Sequence, residues 1–282
     1  MLAIAAKAKP SARPRRSSHP VDTLPSLRFF HSEALRVQSL EVINAIEASG
    51  NPHAALHRAG THLQNMTKIV IPTHHQHNGL EQLVQLAQAQ PALPHTTPFY
   101  FLRHGQTARN AARVFQDRDE PLDTMGQQQA ATAAQRLAQE PIRSIVGSDV
   151  LRASQTADTV ARQLALPWKV HTGLRERHFG ALIGTSSVNL DWACVPAGGE
   201  TLEAFVQRTC TGVAEALAAA ANNAPVLLVA HGGNLLVLAA WLNVALPPGA
   251  LGNAQPLHFT HTSGRWHITP LLHAQDNASN LA

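Results

Sequence analysis

Cysteine is nearly absent from this chain: only Cys194 and Cys210 occur in 282 residues. Neither their number nor their spacing suggests a disulfide framework or a zinc site, so a reducing compartment, the cytoplasm, is the expected location. Aromatic residues are also few, at 5%. No basic run is interleaved with them, which leaves nucleic-acid binding without support. Charged residues make up 14%, and the net charge of +4 owes much to Lys7, Lys9, Arg13, Arg15 and Arg16 in an acid-free stretch. Without that arm the balance is close to neutral. Its apolar run is too short for a secretory signal, and its Arg-, Ala- and Ser-rich composition is shared by organelle transit peptides and bare tails. Residues 1–25 are read as a disordered basic arm. The long apolar stretch APVLLVAHGGNLLVLAAWLNVALPP is interrupted by His231, Gly232, Gly233 and Asn234. A lipid-facing helix does not favour that interruption, whereas a buried strand, a Gly-Gly turn and a buried helix fit it, so no membrane partner is expected.

What is present is a hydrophobic fraction of 44%, enough for a substantial core. Residues 26–97 are read as a helical N-terminal extension that ends in a proline-rich linker. Val37, Leu40, Ile43 and Ile46 recur at helical spacing behind Ser32, and Gly50 with Pro52 stops the pattern. Further helices are expected at 52–65 and at 78–90, the second opening at Asn78. Pro91, Pro94 and Pro98 then remove backbone donors in quick succession. His53 with His57, and the THHQH run at His74, His75 and His77, bring metal to mind. No carboxylate or cysteine completes a recognisable site, so no metal and no cofactor is expected. These helices are read as covering a face of the domain that follows or mediating self-association into a homo-oligomer.

Beyond residue 98 short apolar runs alternate with amphipathic helices, the pattern of an α/β domain. Strands are expected at Phe99–Leu102, Ser144–Gly147, Trp168–His171 and Val226–Ala230, with a C-terminal hairpin in LHFTHTSGRWHIT at the sheet edge. Helices are expected from about Thr124 to Gln139, Leu151 to Leu164 and Thr201 to Asn222. In such sheets ligands bind beyond the carboxyl ends of the strands. There the chain places Arg103 and His104 after the first strand, Ser148, Asp149 and Arg152 after the second, Glu176 past the third, and His231 with Gly232 after the last.

These residue types answer the needs of phosphoryl transfer, which requires an in-line nucleophile, donors to the equatorial oxygens and a proton for the leaving group. His104 can attack as a neutral imidazole, because Arg103 and Arg152 disfavour its protonated form. The two arginines can grip phosphate oxygens through paired N–H bonds, as a metal does elsewhere. His231 can donate to a remaining oxygen, with Thr107 and Asn110 as neutral donors. Glu176 can protonate the leaving alkoxide and then, as a carboxylate, activate water.

Five segments in order, LRHGQTARN, SDVLRASQTA, LRERHFGALIG, PAGGETLEAFVQR and LLVAHGGNL, resemble the histidine phosphatase superfamily, which contains cofactor-dependent phosphoglycerate mutases and many phosphatases. The resemblance covers roughly the C-terminal two thirds of the chain, taken as residues 98–282. It implies a phosphoglycerate mutase-like three-layer sandwich around a mostly parallel mixed sheet. It also implies phosphorylation of His104, a phosphate pocket lined by Arg103, Asn110, Arg152 and His231, and Glu176 as the proton donor. Departures from the family pattern occur at Asp117 and Asp123, where a glycine and a threonine are common, and these suggest a more acidic pocket mouth. Ile183 replaces a residue that is commonly Glu or Gln.

A mutase must retain a doubly phosphorylated, carboxylate-bearing intermediate, which calls for cations over the pocket. The lid region GTSSVNLDWACVPAGGE contains no Lys or Arg. Metal-independent hydrolysis of a small phosphorylated metabolite is therefore the favoured reading. A phosphoglycerate-type mutase and a catalytically idle phosphate-binding scaffold are the alternatives, and the presence of Glu176 counts against the scaffold.

Overall fold

The computed structural model describes residues 79–220 and 224–271. The expected arm, the helices before residue 79 and the histidines from His53 to His77 lie outside the described residues. The first described element is helix α1 (Leu80–Gln88). Its N-cap is Gly79, in a left-handed conformation with φ 78° and no side-chain cap, rather than the Asn78 start expected from sequence.

The strands are β1 (Phe99–Arg103), β2 (Ser144–Gly147), β3 (Trp168–Val170), β4 (Val226–Ala230), β5 (Pro256–Thr262) and β6 (Arg265–Pro270). They form one mixed sheet in the order β3-β2-β4-β1-β5-β6. The pairs β1–β4, β2–β4 and β2–β3 are parallel, while β5 and β6 add an antiparallel hairpin beside β1. The remaining helices are α2 (Ala108–Ala111), α3 (Thr124–Leu137), α4 (Leu151–Leu164), α5 (Leu202–Ala218) and α6 (Gly232–Trp241), with two 3-10 turns at Thr172–Leu174 and Gly180–Leu182.

Strand alternation divides the core between two faces of the sheet. Phe99, Phe101, Leu228 and Phe259 point to one side, where they pack with Val213 and Leu217 of α5 and Leu235 and Leu238 of α6. Tyr100, Leu102, Leu227 and Val229 point to the other, against Ala133, Ala134 and Leu137 of α3 and Ala157 and Val160 of α4. This is a three-layer α/β sandwich, and burial on both faces explains why VLLVA reads as a continuous apolar run. A third cluster joins Leu83 and Ala87 of α1 to Phe205 and Val206 of α5, Val237 and Ala240 of α6, and the loop residues Phe115, Phe179 and Trp192.

Two of the helix starts are fixed by capping side chains. Asp123 caps α3 by accepting from the Gly126 N–H at 2.7 Å, and Thr201 caps α5 by accepting from the Ala204 N–H at 3.1 Å. Asp123 also accepts from Gln106 Nε2 at 3.1 Å. Of the two acids expected at the pocket mouth, Asp123 is thus a capping residue, whereas Asp117 lines a cavity together with Arg152 and Glu176.

Candidate active site

Because β2, β4 and β1 are neighbours, the loops leaving their carboxyl ends are neighbours too. The Ser148 N–H donates to the Val229 carbonyl at 2.9 Å and the His104 N–H to that of Ala230 at 3.0 Å, so both loops are stitched to β4 at the point where His231 leaves it. His104 and His231 end with ring centroids 5.1 Å apart. They are 2% and 0% exposed.

His104 is oriented at both ring nitrogens. Nδ1 lies 2.7 Å from the Gly105 carbonyl, an acceptor only, so Nδ1 carries the proton. Nε2 is then the lone-pair nitrogen, and Arg152 Nε donates to it at 3.2 Å. The turn that achieves this needs a glycine: a Cβ on Gly105 would stand 2.4 Å from the Gly126 carbonyl oxygen. Burial first, then the charges of Arg152 and Arg103, hold the His104 pKa well below the ordinary histidine value. His231 is depressed in the same direction, again mainly by burial and then by Arg152, His104, Arg103 and Arg208.

Both arginines are anchored with part of each guanidinium free. Arg152 Nη1 donates to the Asp117 carbonyl at 2.8 Å. Burial draws its pKa down to about 10, which still leaves it a cation at neutral pH. Arg103 Nη1 donates to the Leu251 carbonyl, and its Nε is buried without a partner. His231 Nε2 pairs with Ser148 Oγ at 3.0 Å, whereas its Nδ1 has no partner. The Asn110 Oδ1 atom is likewise buried and unpaired. Unmet polar atoms of this kind are costly in a folded core. Their presence on one set of loops marks a built polar site. A cavity of about 230 Å³ is lined by Arg103, His104, Asn110, Arg152, Glu176 and Gly232.

Glu176 reaches this cavity from beyond β3. Its Oε2 accepts from the Gly233 N–H at 3.1 Å and its Oε1 from the Arg177 N–H at 3.0 Å. Gly233 is the second residue of α6, so the carboxylate rests on the positive end of that helix. Arg175 and Arg177, its sequence neighbours, turn elsewhere. Arg175 forms a forked pair with Asp149. Arg177 donates to the carbonyls of Trp192 and Cys194, each at 2.6 Å, and of Glu200 at 3.1 Å, which ties the lid segment down.

Seven of the sequence-derived site residues therefore surround one cavity or pack directly behind it: Arg103, His104, Asn110, Arg152, Glu176, His231 and Gly232. Thr107 is different. Its hydroxyl caps α2, accepting from the Asn110 N–H at 3.0 Å, and donates to Gln116 Oε1 at 2.6 Å. Thr107 is not among the residues lining the cavity, whereas its partner Gln116 is. Sequence reasoning missed Gln116 and the role of Ser148. The position of Ser148 immediately after a strand was the available signal, and Gln116 carries none.

Residues 99–271 match the sequence model of the histidine phosphatase superfamily, branch 1. The chain belongs to that superfamily. It is 35% identical over 179 residues to a glucosyl-3-phosphoglycerate phosphatase of Mycolicibacterium vanbaalenii, covering 54% of this chain and 79% of the relative. A mycobacterial glucosyl-3-phosphoglycerate phosphatase solved with VO3 superposes with a TM-score of 0.53 at 32% identity, covering 62% of this chain and 98% of that one. A shorter match, 39% identical over 84 residues, is to a probable phosphoglycerate mutase of Photorhabdus laumondii, covering 29% of this chain and 39% of the relative. This histidine phosphatase is a phosphomonoesterase. Among its described residues no helix is long and apolar enough to cross a membrane.

Proposed function

We propose that the enzyme hydrolyses small phosphate monoesters in two steps at His104, with no metal required because arginines supply the positive charge. In the first step His104 Nε2 attacks phosphorus, the P–O bond to the leaving group breaks, and Glu176 in its acid form gives the departing oxygen a proton. In the second step the Glu176 carboxylate takes a proton from water, whose oxygen attacks the phosphohistidine. Inorganic phosphate leaves, and the imidazole is regenerated. Arg103, Arg152 and Asn110 hold the equatorial oxygens, with His231 donating from Nδ1 when Nε2 accepts from Ser148. The paired orientation of His104 supports this reading most: one nitrogen is committed to the Gly105 carbonyl at 2.7 Å, so the other is left as the nucleophile.

The lid supports hydrolysis over mutase chemistry. Its carbonyls are engaged by Arg177, and it contributes no cation to hold a bisphosphorylated intermediate. The substrate class suggested by the named relatives is a phosphorylated sugar derivative. Incubation with 4-nitrophenyl phosphate in EDTA should give turnover, with an acid-labile phosphoenzyme that accumulates in Glu176→Gln and is lost in His104→Ala. Equal turnover by His104→Ala and the parent would sink the proposal.

A further inference from the structure

Away from the phosphate donors, much of the cavity lining is apolar. Val114, Phe115, Phe179, Leu190, Trp192 and Leu236 line it together with the neutral polar residues Gln116 and Ser187. Phe115 and Phe179 lie with ring centroids 4.5 Å apart, and Trp192 lies 6.2 Å from Phe179 in an edge-on arrangement. Trp192 is only 4% exposed, yet its indole Nε1–H has no hydrogen-bond partner. A buried indole N–H normally finds one. It is an unpaired donor among the aromatic residues of the lining.

The arginines around the site have partners of their own. An adjoining cavity of about 240 Å³ shares Arg152 and Glu176 with the first and adds Arg118, Arg175 and Arg208. Arg175 is paired with Asp149, and Arg208 is forked onto Glu200 through bonds of 2.9 and 2.8 Å. Arg118 shares the same Asp149, at 3.4 Å. Arg177, between the two cavities, spends its donors on three carbonyls. An anionic leaving group lying on the aromatic residues would meet hydrocarbon, with the arginines of the adjoining cavity already engaged by carboxylates or carbonyls. A carboxylate against the aromatic residues would be desolvated without a partner, which is strongly unfavourable.

We infer that the leaving group is an uncharged ring alcohol, which lays its apolar face on Phe115, Phe179 and Trp192 and accepts a hydrogen bond from Trp192 Nε1. The cavity is below the roughly 300–1,000 Å³ that accommodates drug-sized ligands, so phosphate and one ring fit the available space. A pyranose and an oxygen-bearing aromatic ring share this chemistry. On this reading the chain departs from its named relatives in the charge of the alcohol it releases. The inference rests on the hydrolytic function proposed above, and Trp192 acts in it as a specificity-determining residue.

Steady-state kinetics of the full chain would be compared on phenyl phosphate, 4-methoxyphenyl phosphate, glucose 6-phosphate and 3-phosphoglycerate, with inorganic phosphate as a product inhibitor. At least one ring ester should exceed 3-phosphoglycerate in kcat/KM by about tenfold or more, and the two oxygen-bearing types show which source of the ring is preferred. Trp192→Phe keeps a ring but loses the donor. It should raise KM about three- to tenfold for the best oxygen-bearing ester, leave phenyl phosphate within about twofold, and leave inhibition by phosphate unchanged. Preference for 3-phosphoglycerate, or equal losses on every ester, would overturn the inference while leaving the hydrolase reading intact. No turnover of any ester together with no binding of inorganic phosphate would instead remove the hydrolase reading, and the inference with it.

Discussion

Gly233 lies directly against Glu176: its N–H donates to Oε2 at 3.1 Å, and a Cβ built on it would stand 2.2 Å from Oε1. The same Cβ would come within 3.0 Å of the Phe205 and Trp192 rings, so the carboxylate has little room to retreat. Gly233→Ala should therefore displace the Glu176 carboxylate, the proton donor proposed above, while sparing the proposed phosphate donors. Turnover is expected to fall about ten- to hundredfold, part of the full contribution of a positioned acid. Inhibition by inorganic phosphate should stay within about twofold of the parent. Unchanged turnover in a folded variant would show that the contact is not needed.

The two buried histidines predict acid sensitivity of the fold. Both His104 and His231 are held neutral in the native state, chiefly by burial. In the unfolded chain each takes up a proton near the ordinary histidine pKa of about 6.5. The unfolded state then binds more protons than the native state as pH falls below that value. Stability should be flat above about pH 7 and should decline below pH 6.5, with a limiting slope of about 1.4 kcal/mol per pH unit for each ring. Urea unfolding between pH 7.5 and 5.0 measures this slope. A His104→Asn, His231→Gln double variant should flatten it, and an equally steep profile in that variant would rule out these rings as the cause.

Thr107 caps α2 and is hydrogen-bonded to Gln116, while Asn110 lines the cavity. Thr107→Ala should cost about 1 kcal/mol of stability through loss of the cap. Asn110→Ala should affect kcat/KM more than Thr107→Ala does, with a loss of about tenfold. Denaturation curves and kinetics on the two variants separate the roles, and the reverse order would return Thr107 to the phosphate site.

Arg177 is 2% exposed, with its guanidinium 5.6 Å from the centre of the Phe179 ring. Arg177→Met would leave the carbonyls of Trp192, Cys194 and Glu200 without their side-chain donors. A loss of about 3 kcal/mol is expected, since each buried unsatisfied group costs about 1–3 kcal/mol. Limited proteolysis should cut first within residues 184–200. Cleavage elsewhere first would place the stabilising role of Arg177 outside the lid.

The linear chain determined the elements that depend on local or fully buried pattern. Val226–Ala230 and Ser144–Gly147 are found at the limits read from sequence, since strands buried on both faces have no polar alternation to blur them. β1 runs one residue longer than read, and β3 ends one earlier, at Val170. Helix α4 is found over the expected Leu151–Leu164, whereas α5 ends at Ala218, short of the expected Asn222. The polar residues that follow the strands were equally legible, because the carboxyl end of a parallel strand is where an α/β fold leaves donors available.

What the tertiary structure alone decided is which of those residues meet. Ser148 and His231 are bonded across 83 positions, and Glu176 and Gly233 across 57. Such pairs follow from the strand order β3-β2-β4-β1-β5-β6, which places β4 between β2 and β1, and no periodicity along the chain encodes that order. The same limit applies to Asp123, which a motif comparison put at the pocket mouth and the fold uses as a helix cap. It applies also to α1, whose apolar face was visible in the sequence but whose partners, α5 and α6, were not. A side chain's chemistry is local, whereas its burial, its partner and its pKa depend on what long-range packing brings beside it.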